Sequence, residues 1–186
     1  MRVIAGEFRS RRLKSVPGLN VRPTPGRLRE ALFNVLSPVI DNKIFVDAYA
    51  GCGSVGIEAL SRGARRAIFI ERNRAALEVL EDNLRSLQLR ARADIVRGSA
   101  AQALTQATGD IVFLDPPYAK PGEYELVMTA IAERFFPLVI AQHESRQTLE
   151  ARYGRLVRYR LLKQGDNSLS FYRPEGGILG LPRTSL

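Results

Sequence analysis

With 186 residues, 45% of them hydrophobic and 25% charged, the chain is long enough to bury a full core and fits one main domain with a small appendage. No apolar run approaches the ~20 residues of a membrane span, and the start MRVIAGEFRSRR lacks the apolar stretch and cleavage site of a secretory signal, so a cytoplasmic protein is expected. A single cysteine excludes an internal disulfide; together with a single histidine it leaves no cluster at zinc-ligand spacing, so no metal site is expected.

The net charge of +9 is concentrated at the beginning. From Met1 to Arg29 there are eight cationic side chains (Arg2, Arg9, Arg11, Arg12, Lys14, Arg22, Arg27, Arg29) against Glu7 alone, an excess of +7. Clustered cations of this kind attract phosphate backbones through counterion release, which points to a nucleic-acid partner. MRVIAG and RRLKSVPG read as two short strands joined by a turn. An amphipathic helix, GRLREALFNVL, follows, with Thr24 as N-cap and Pro25 at the first helical position. Its Leu28, Leu32, Val35 and Leu36 share one face, which should pack on the main domain.

From Lys43 short apolar runs alternate with helical stretches. KIFVDAYA is a strand, SVGIEALSRG a helix closed by Gly63, RAIFIE a second strand. Asn73 can cap the helix RAALEVLEDNLRSLQL; ARADIVRG is the third strand and SAAQALTQA the next helix. DIVFLD, then the helix GEYELVMTAIAERF, then PLVIAQH continue the alternation, and GRLVRYRLLKQ with NSLSFYR, joined through Gly165-Asp166, form an antiparallel hairpin. Repeated strand and helix units imply an α/β fold with a mostly parallel sheet covered on both faces. The expected organisation is a basic N-terminal hairpin and helix over 1–40, a main domain over 41–173 and a loose tail over 174–186.

Two loops carry the chemistry. After the first strand, Asp47-Ala-Tyr-Ala-Gly51-Cys-Gly53-Ser-Val-Gly56 holds G-x-G-x-x-G between strand and helix, and Glu71 ends the next strand. Glycines let the backbone approach a ligand, and an acid on the second strand can accept from both ribose hydroxyls; this much fits NAD equally well. Asp47 distinguishes the two: a carboxylate beside the loop repels a pyrophosphate but suits the ammonium and sulfonium side of S-adenosylmethionine. Cys52 reads as a small turn residue and His143 as a hydrogen-bonded structural histidine.

After the fourth strand, IVFL runs into Asp115-Pro-Pro-Tyr118. Proline cannot donate to a sheet ladder, so the strand stops at Asp115 and a rigid corner follows. The Asp115 carboxylate and the Pro116 carbonyl can hold both hydrogens of an exocyclic amine and aim its lone pair, while Tyr118 can stack on a flipped or unpaired base. Catalysis would then be mainly orientation and proximity.

RPTPGRLREALFNVL, DAYAGCGSVGIEALSRGA, FIERN and IVFLDPPY, in that order, together with IAGEFRSRRLKSVPG and GDNSLSFYR, resemble the bacterial RsmD-type methyltransferases, which modify the N2 amine of guanine 966 in 16S rRNA. The D-P-P-Y tetrad alone would also suit adenine-N6 methyltransferases of DNA or RNA. The resemblance implies a Rossmann-like class I methyltransferase fold with a seven-stranded sheet, S-adenosylmethionine as donor, and 16S rRNA in an assembling or assembled small subunit as partner; a monomer is expected. It places Asp47, Gly51 and Gly53 at the methionine end of the cofactor, Glu71 at its ribose, and Asp115, Pro116 and Tyr118 at the guanine. Arg22, Thr24, Arg27 and Arg29 fall where the family's basic block guides rRNA, beside Arg9, Arg11 and Arg12. Ser99 stands where the family carries an acid, and accepts a hydrogen bond more weakly than a carboxylate. Two readings from other classes remain: an RNA-binding assembly factor without turnover, and an NAD oxidoreductase, for which no convincing acid or base is found.

Overall fold

The computed structural model describes residues 1–16, 25–117 and 122–177. One sheet organises them, with strand order β3-β2-β1-β4-β5-β8-β7-β6. Five strands are parallel: β1 (Ile44–Asp47), β2 (Arg66–Glu71), β3 (Ala93–Arg97), β4 (Ile111–Leu114) and β5 (Leu138–Glu144). β8 (Asn167–Pro174) inserts antiparallel between β5 and β7 (Leu156–Gln164). The sheet has eight strands where seven were expected. The extra one, β6 (Arg152–Tyr153), folds back on the start of β7 through Gly154, whose φ of 52° makes the tight turn.

Helices cover both faces, as the unbroken burial of β4 requires. On one face lie α1 (Gly26–Leu36), α2 (Ser54–Ser61) and α3 (Arg74–Ser86); on the other, α4 (Ala100–Leu104) and α5 (Glu123–Ala132). The two cores divide by strand alternation: Phe45 and Phe113 pack under α1, whereas Val46, Val112 and Leu114 pack under α4 and α5. Asn73 caps α3 as expected, its side chain accepting from the Ala76 N–H at 3.0 Å. Pro25 takes the N-cap position of α1, one residue earlier than expected, and Thr24 lies outside the described residues. Among the described residues no helix is long and apolar enough to cross a membrane.

The two expected N-terminal strands reduce to one antiparallel bridge, Arg2 with Arg12. Val3 and Leu13 donate across the pair to the Arg11 and Met1 carbonyls at 3.0 Å each, and the donors that follow Val3 go elsewhere. Ile4 and Ala5 donate to the Glu58 carboxylate at 2.8 and 3.0 Å, and Glu7 and Phe8 donate to the carbonyl and hydroxyl oxygens of Ser61. Gly6, at φ 83°, sits so close to Ser61 that an added Cβ would lie 1.8 Å from its carbonyl oxygen. The basic N-terminal segment is therefore clasped onto α2 by its own backbone N–H groups, beside the short antiparallel pairing of its two ends.

Candidate active site

The chain order reverses between β1 and β4, so the loops leaving these strands open next to each other at the carboxyl edge of the sheet, the place where open α/β sheets bind ligands. Register fixes the spacing. Asp47 pairs with Phe69 on β2 and with Phe113 on β4. Glu71 and Asp115 each lie two residues beyond those partners, about 6.6 Å further along at ~3.3 Å per residue. A buried carboxylate is thus flanked by two others, one toward each expected half of the site.

The loop after β1 is tightly bonded. Asp47 is 1% exposed and accepts from the Gly56 N–H at 2.8 Å. Burial lifts its carboxyl from the usual 3.8 to about 7; the Gly56 bond opposes the shift and the Glu71 charge adds to it. Glu71 accepts through Oε2 from the Gly51 N–H at 2.8 Å, and through Oε1 from the Arg72 and Asn73 N–H groups at 2.8 and 2.7 Å. Oε2 keeps acceptor capacity for a ligand hydroxyl.

The glycines divide their work. At Gly51, φ is 54° and an added Cβ would meet nothing within 4 Å, so this residue borders open space where a ligand can approach the backbone. Gly53 and Gly56 face inward: added Cβ atoms there would lie 2.4 Å from Leu80 and 2.3 Å from Phe69. The structure therefore gives Gly53, expected at the cofactor, a packing and turn role, with its N–H donated to the Ala50 carbonyl at 2.7 Å. Ser99 caps α4, its hydroxyl accepting from the Gln102 N–H at a long 3.4 Å, and stays half-buried at the end of β3.

Asp115 is half-buried and Pro116 buried at the end of β4; Tyr118 lies outside the described residues. Sequence reasoning missed the tie between the two loops. The Tyr49 hydroxyl donates to Glu123 Oε1 at 2.9 Å, joining the β1 loop to the first residue of α5, just past the segment that follows Pro117. Burial, then the Glu123 bond and charge, push the Tyr49 phenol far above its ordinary range, so it stays a donor.

The basic residues separate into groups. Arg9, Arg11, Arg12 and Arg27 are exposed. Arg9 lies in the turn tied to Ser61 at the C-terminal end of α2, toward the amino edge of the sheet, and Arg11 Nη2 reaches the Ser86 carbonyl at 3.4 Å. Arg29 corrects the expectation of an RNA contact: it is 3% exposed, donates to the Arg2 carbonyl at 2.6 Å, and stands 3.7 Å from Glu58. With Arg62, 2.8 Å from the same fully buried carboxylate, it forms the ionic core of the N-terminal clasp. The signal for this cluster was an acid, Glu58, inside an otherwise apolar helix. Arg22 falls outside the described residues.

His143 is structural: its ring nitrogens lie 2.9 Å from the Glu144 carbonyl and the Ser170 hydroxyl, and burial lowers its pKa. Burial raises the Cys52 thiol, which argues against a reactive thiolate.

A family profile described as "Conserved hypothetical protein 95" matches residues 1–173. YlbH of Bacillus subtilis, provisionally named an rRNA methyltransferase, is 36% identical over 185 residues, covering 95% of this chain and 100% of that one. The ribosomal RNA small subunit methyltransferase D of Escherichia coli is 41% identical over 122 residues, 64% of this chain and 61% of that one, so the match spans about three fifths of that relative. Among solved structures, the Escherichia coli protein yhhF, provisionally described as a methyltransferase, superposes with a TM-score of 0.82 at 33% identity, covering 94% of this chain and 97% of that one. An RNA methyltransferase from Salinibacter ruber, solved with S-adenosyl-L-homocysteine, shares the fold at a TM-score of 0.62 and 18% identity, over 82% of this chain and 94% of that one.

Proposed function

Because this chain belongs to the Conserved hypothetical protein 95 family, that of the ribosomal RNA small subunit methyltransferases D, we propose that it methylates the exocyclic N2 amine of guanine 966 in 16S rRNA, presented by the small ribosomal subunit and taken by a single copy of the chain. The coarser part of this statement, an rRNA methyltransferase that uses S-adenosylmethionine, rests on the family; the acceptor atom and its position rest on the residues that resemble the guanine-N2 enzymes.

The observation that carries the reading is the register across β1: Asp47 between Glu71 on one neighbouring strand and Asp115 on the other. The residues present fit the cofactor. Glu71 retains acceptor capacity for the ribose, Gly51 leaves open space beside its backbone, and the buried Asp47 lacks a cationic partner in the β1 loop and gains one from the methionine moiety. When bound, S-adenosylmethionine supplies an electrophilic methyl group on a sulfonium. The chain's own contribution is orientation. Asp115 and the Pro116 carbonyl hold the two amine hydrogens, so the lone pair leaves base conjugation and points along the line of transfer, with Tyr118 stacked on the ring. One N–C bond forms as one S–C bond breaks, and the alkylated amine releases a proton without needing a strong base.

Tritiated S-adenosylmethionine with unmodified small subunits, followed by digestion of the rRNA to nucleosides, tests this directly. N2-methylguanosine is the expected labelled species. N6-methyladenosine would keep the orientation mechanism and overturn the acceptor, and absence of label from rRNA would overturn the reading.

A further inference from the structure

The cationic excess has a second centre that the N-terminal block does not include. Between Arg146 and Arg173 seven arginine and lysine residues face two acids, Glu150 and Asp166. Arg152 is neutralised by Glu175 at 2.8 Å, and Arg158 Nη1 donates to the Leu149 carbonyl at 3.0 Å. Arg160 and Arg173 have no carboxylate partner among the described residues. Instead, Arg160 lies over the Phe171 ring at 5.8 Å and Arg173 over the Tyr159 ring at 5.0 Å, with the two rings edge-on at 6.3 Å. Stacking fixes each guanidinium plane and leaves its N–H edges available to an anion.

A β-bulge creates this arrangement. The pairing of β7 with β8 steps from Arg158 opposite Tyr172 to Arg160 opposite Phe171, so Tyr159 is an extra residue and it turns to the same face as Arg160. Both line a cleft of about 360 Å³ whose opposite wall is α1, through Ala31 and Val35, with Pro38 just after it. The Tyr159 hydroxyl at this cleft is buried and has no hydrogen-bond partner among the described residues. On its other flank α1 holds the N-terminal basic segment, through Arg29 and the Arg2 carbonyl. Cations thus stand on both sides of one helix.

We infer that the α1–β7 cleft is a second RNA-binding surface, where backbone phosphates of the substrate RNA bind the edges of Arg160 and Arg173 at a distance from the target nucleotide. This rests on the proposed RNA substrate. The apolar wall alone would also suit a protein, but two unneutralised guanidiniums beside an orphaned phenol favour a phosphate chain.

The test measures binding of protein-free 16S rRNA and of intact small subunits across a salt series, for the unaltered protein, Arg160→Ala/Arg173→Ala and Arg160→Lys/Arg173→Lys, with S-adenosylmethionine affinity as the control for folding. The alanine pair should weaken RNA binding severalfold or more and flatten the log–log salt slope by about 1.4 on single-stranded RNA, at ~0.7 for each phosphate left unneutralised, and cofactor affinity should stay unchanged. The lysine pair should recover most of the slope. An alanine pair with the native slope overturns the inference; so does loss of binding to subunits with native binding to naked RNA, which would mark a protein-docking cleft. If the unaltered protein shows no salt-dependent RNA binding, the functional reading itself falls, and this site with it.

Discussion

The loop after β1 and the corner after β4 leave neighbouring strands at the same edge of the sheet but hold their shapes by different means. The first is a hydrogen-bonded knot: Asp47 on Gly56, Glu71 on Gly51, Arg72 and Asn73, and two inward glycines packed on Leu80 and Phe69. The second is stiffened covalently by Pro116 and Pro117, whose fixed φ needs no partners. The difference suits the tasks proposed for them. A small, invariant cofactor can be met by a preformed lattice of donors and acceptors, whereas a base arriving on a large RNA needs a rigid edge and space. Tyr49 ties the β1 loop to Glu123, the first residue of α5.

Perturbing each region should expose this division. Glu71→Ala removes the carboxylate that secures Gly51 and that the proposed reading gives to the ribose, and should cost about 1.5–3 kcal/mol of S-adenosylmethionine affinity, the range for hydrogen bonds to a charged group, by titration calorimetry. RNA affinity should change little; equal losses in both ligands would erase the distinction between the loops.

Asp47 gives the comparison a pH axis. Its folded pKa is raised to about 7 by burial, so the folded protein holds a proton there that an unfolded chain releases near 3.8. The stability contributed by this protonated group is fully present below about pH 3.8 and is lost as pH rises through about 7. Asp47→Asn should remove that loss, seen as a flatter melting temperature over this window. A cationic cofactor favours the carboxylate, so its affinity in the native protein should fall by up to tenfold, about 1.4 kcal/mol, for each pH unit below about 7. Uptake of protons on binding, in place of release, would contradict this role.

Tyr49→Phe should have the smallest effect, about 0.5–1.5 kcal/mol, and on the RNA side: a higher KM for RNA with unchanged cofactor affinity. Should the cofactor affinity fall instead, Tyr49 supports the β1 loop and does not brace the far end of the acceptor segment.

How far these features were legible depended on whether they were local. Strand and helix alternation, the Asn73 cap and the Pro-Pro stop are short-range signals, and each element formed where its own residues favour it. The parallel register that sets Glu71 and Asp115 beside Asp47 follows from strand ends alone, because chemistry-bearing residues close each strand. The N-terminal pair is shorter than expected because, after Val3, its donors find Glu58 and Ser61, more than fifty positions away in sequence. Arg29 was misread for the same reason: on its own helix it looks like one more cation of the basic block, and only the arrival of α2 buries it against Glu58. The Tyr159 bulge and the Tyr49–Glu123 bond are likewise products of tertiary packing, and no local pattern announces them.

In the proposed mechanism the corner after β4 orients the acceptor and takes no part in holding the donor. S-adenosylmethionine binding and single-turnover methyl transfer to unmodified small subunits, measured side by side for the native protein and Asp115→Ala, probe that division at its root. Cofactor affinity should stay within about twofold of native while transfer slows by roughly a hundredfold or more, some 2.7 kcal/mol of orientation lost. Transfer within a few-fold of native, with Asp115 gone, would contradict it.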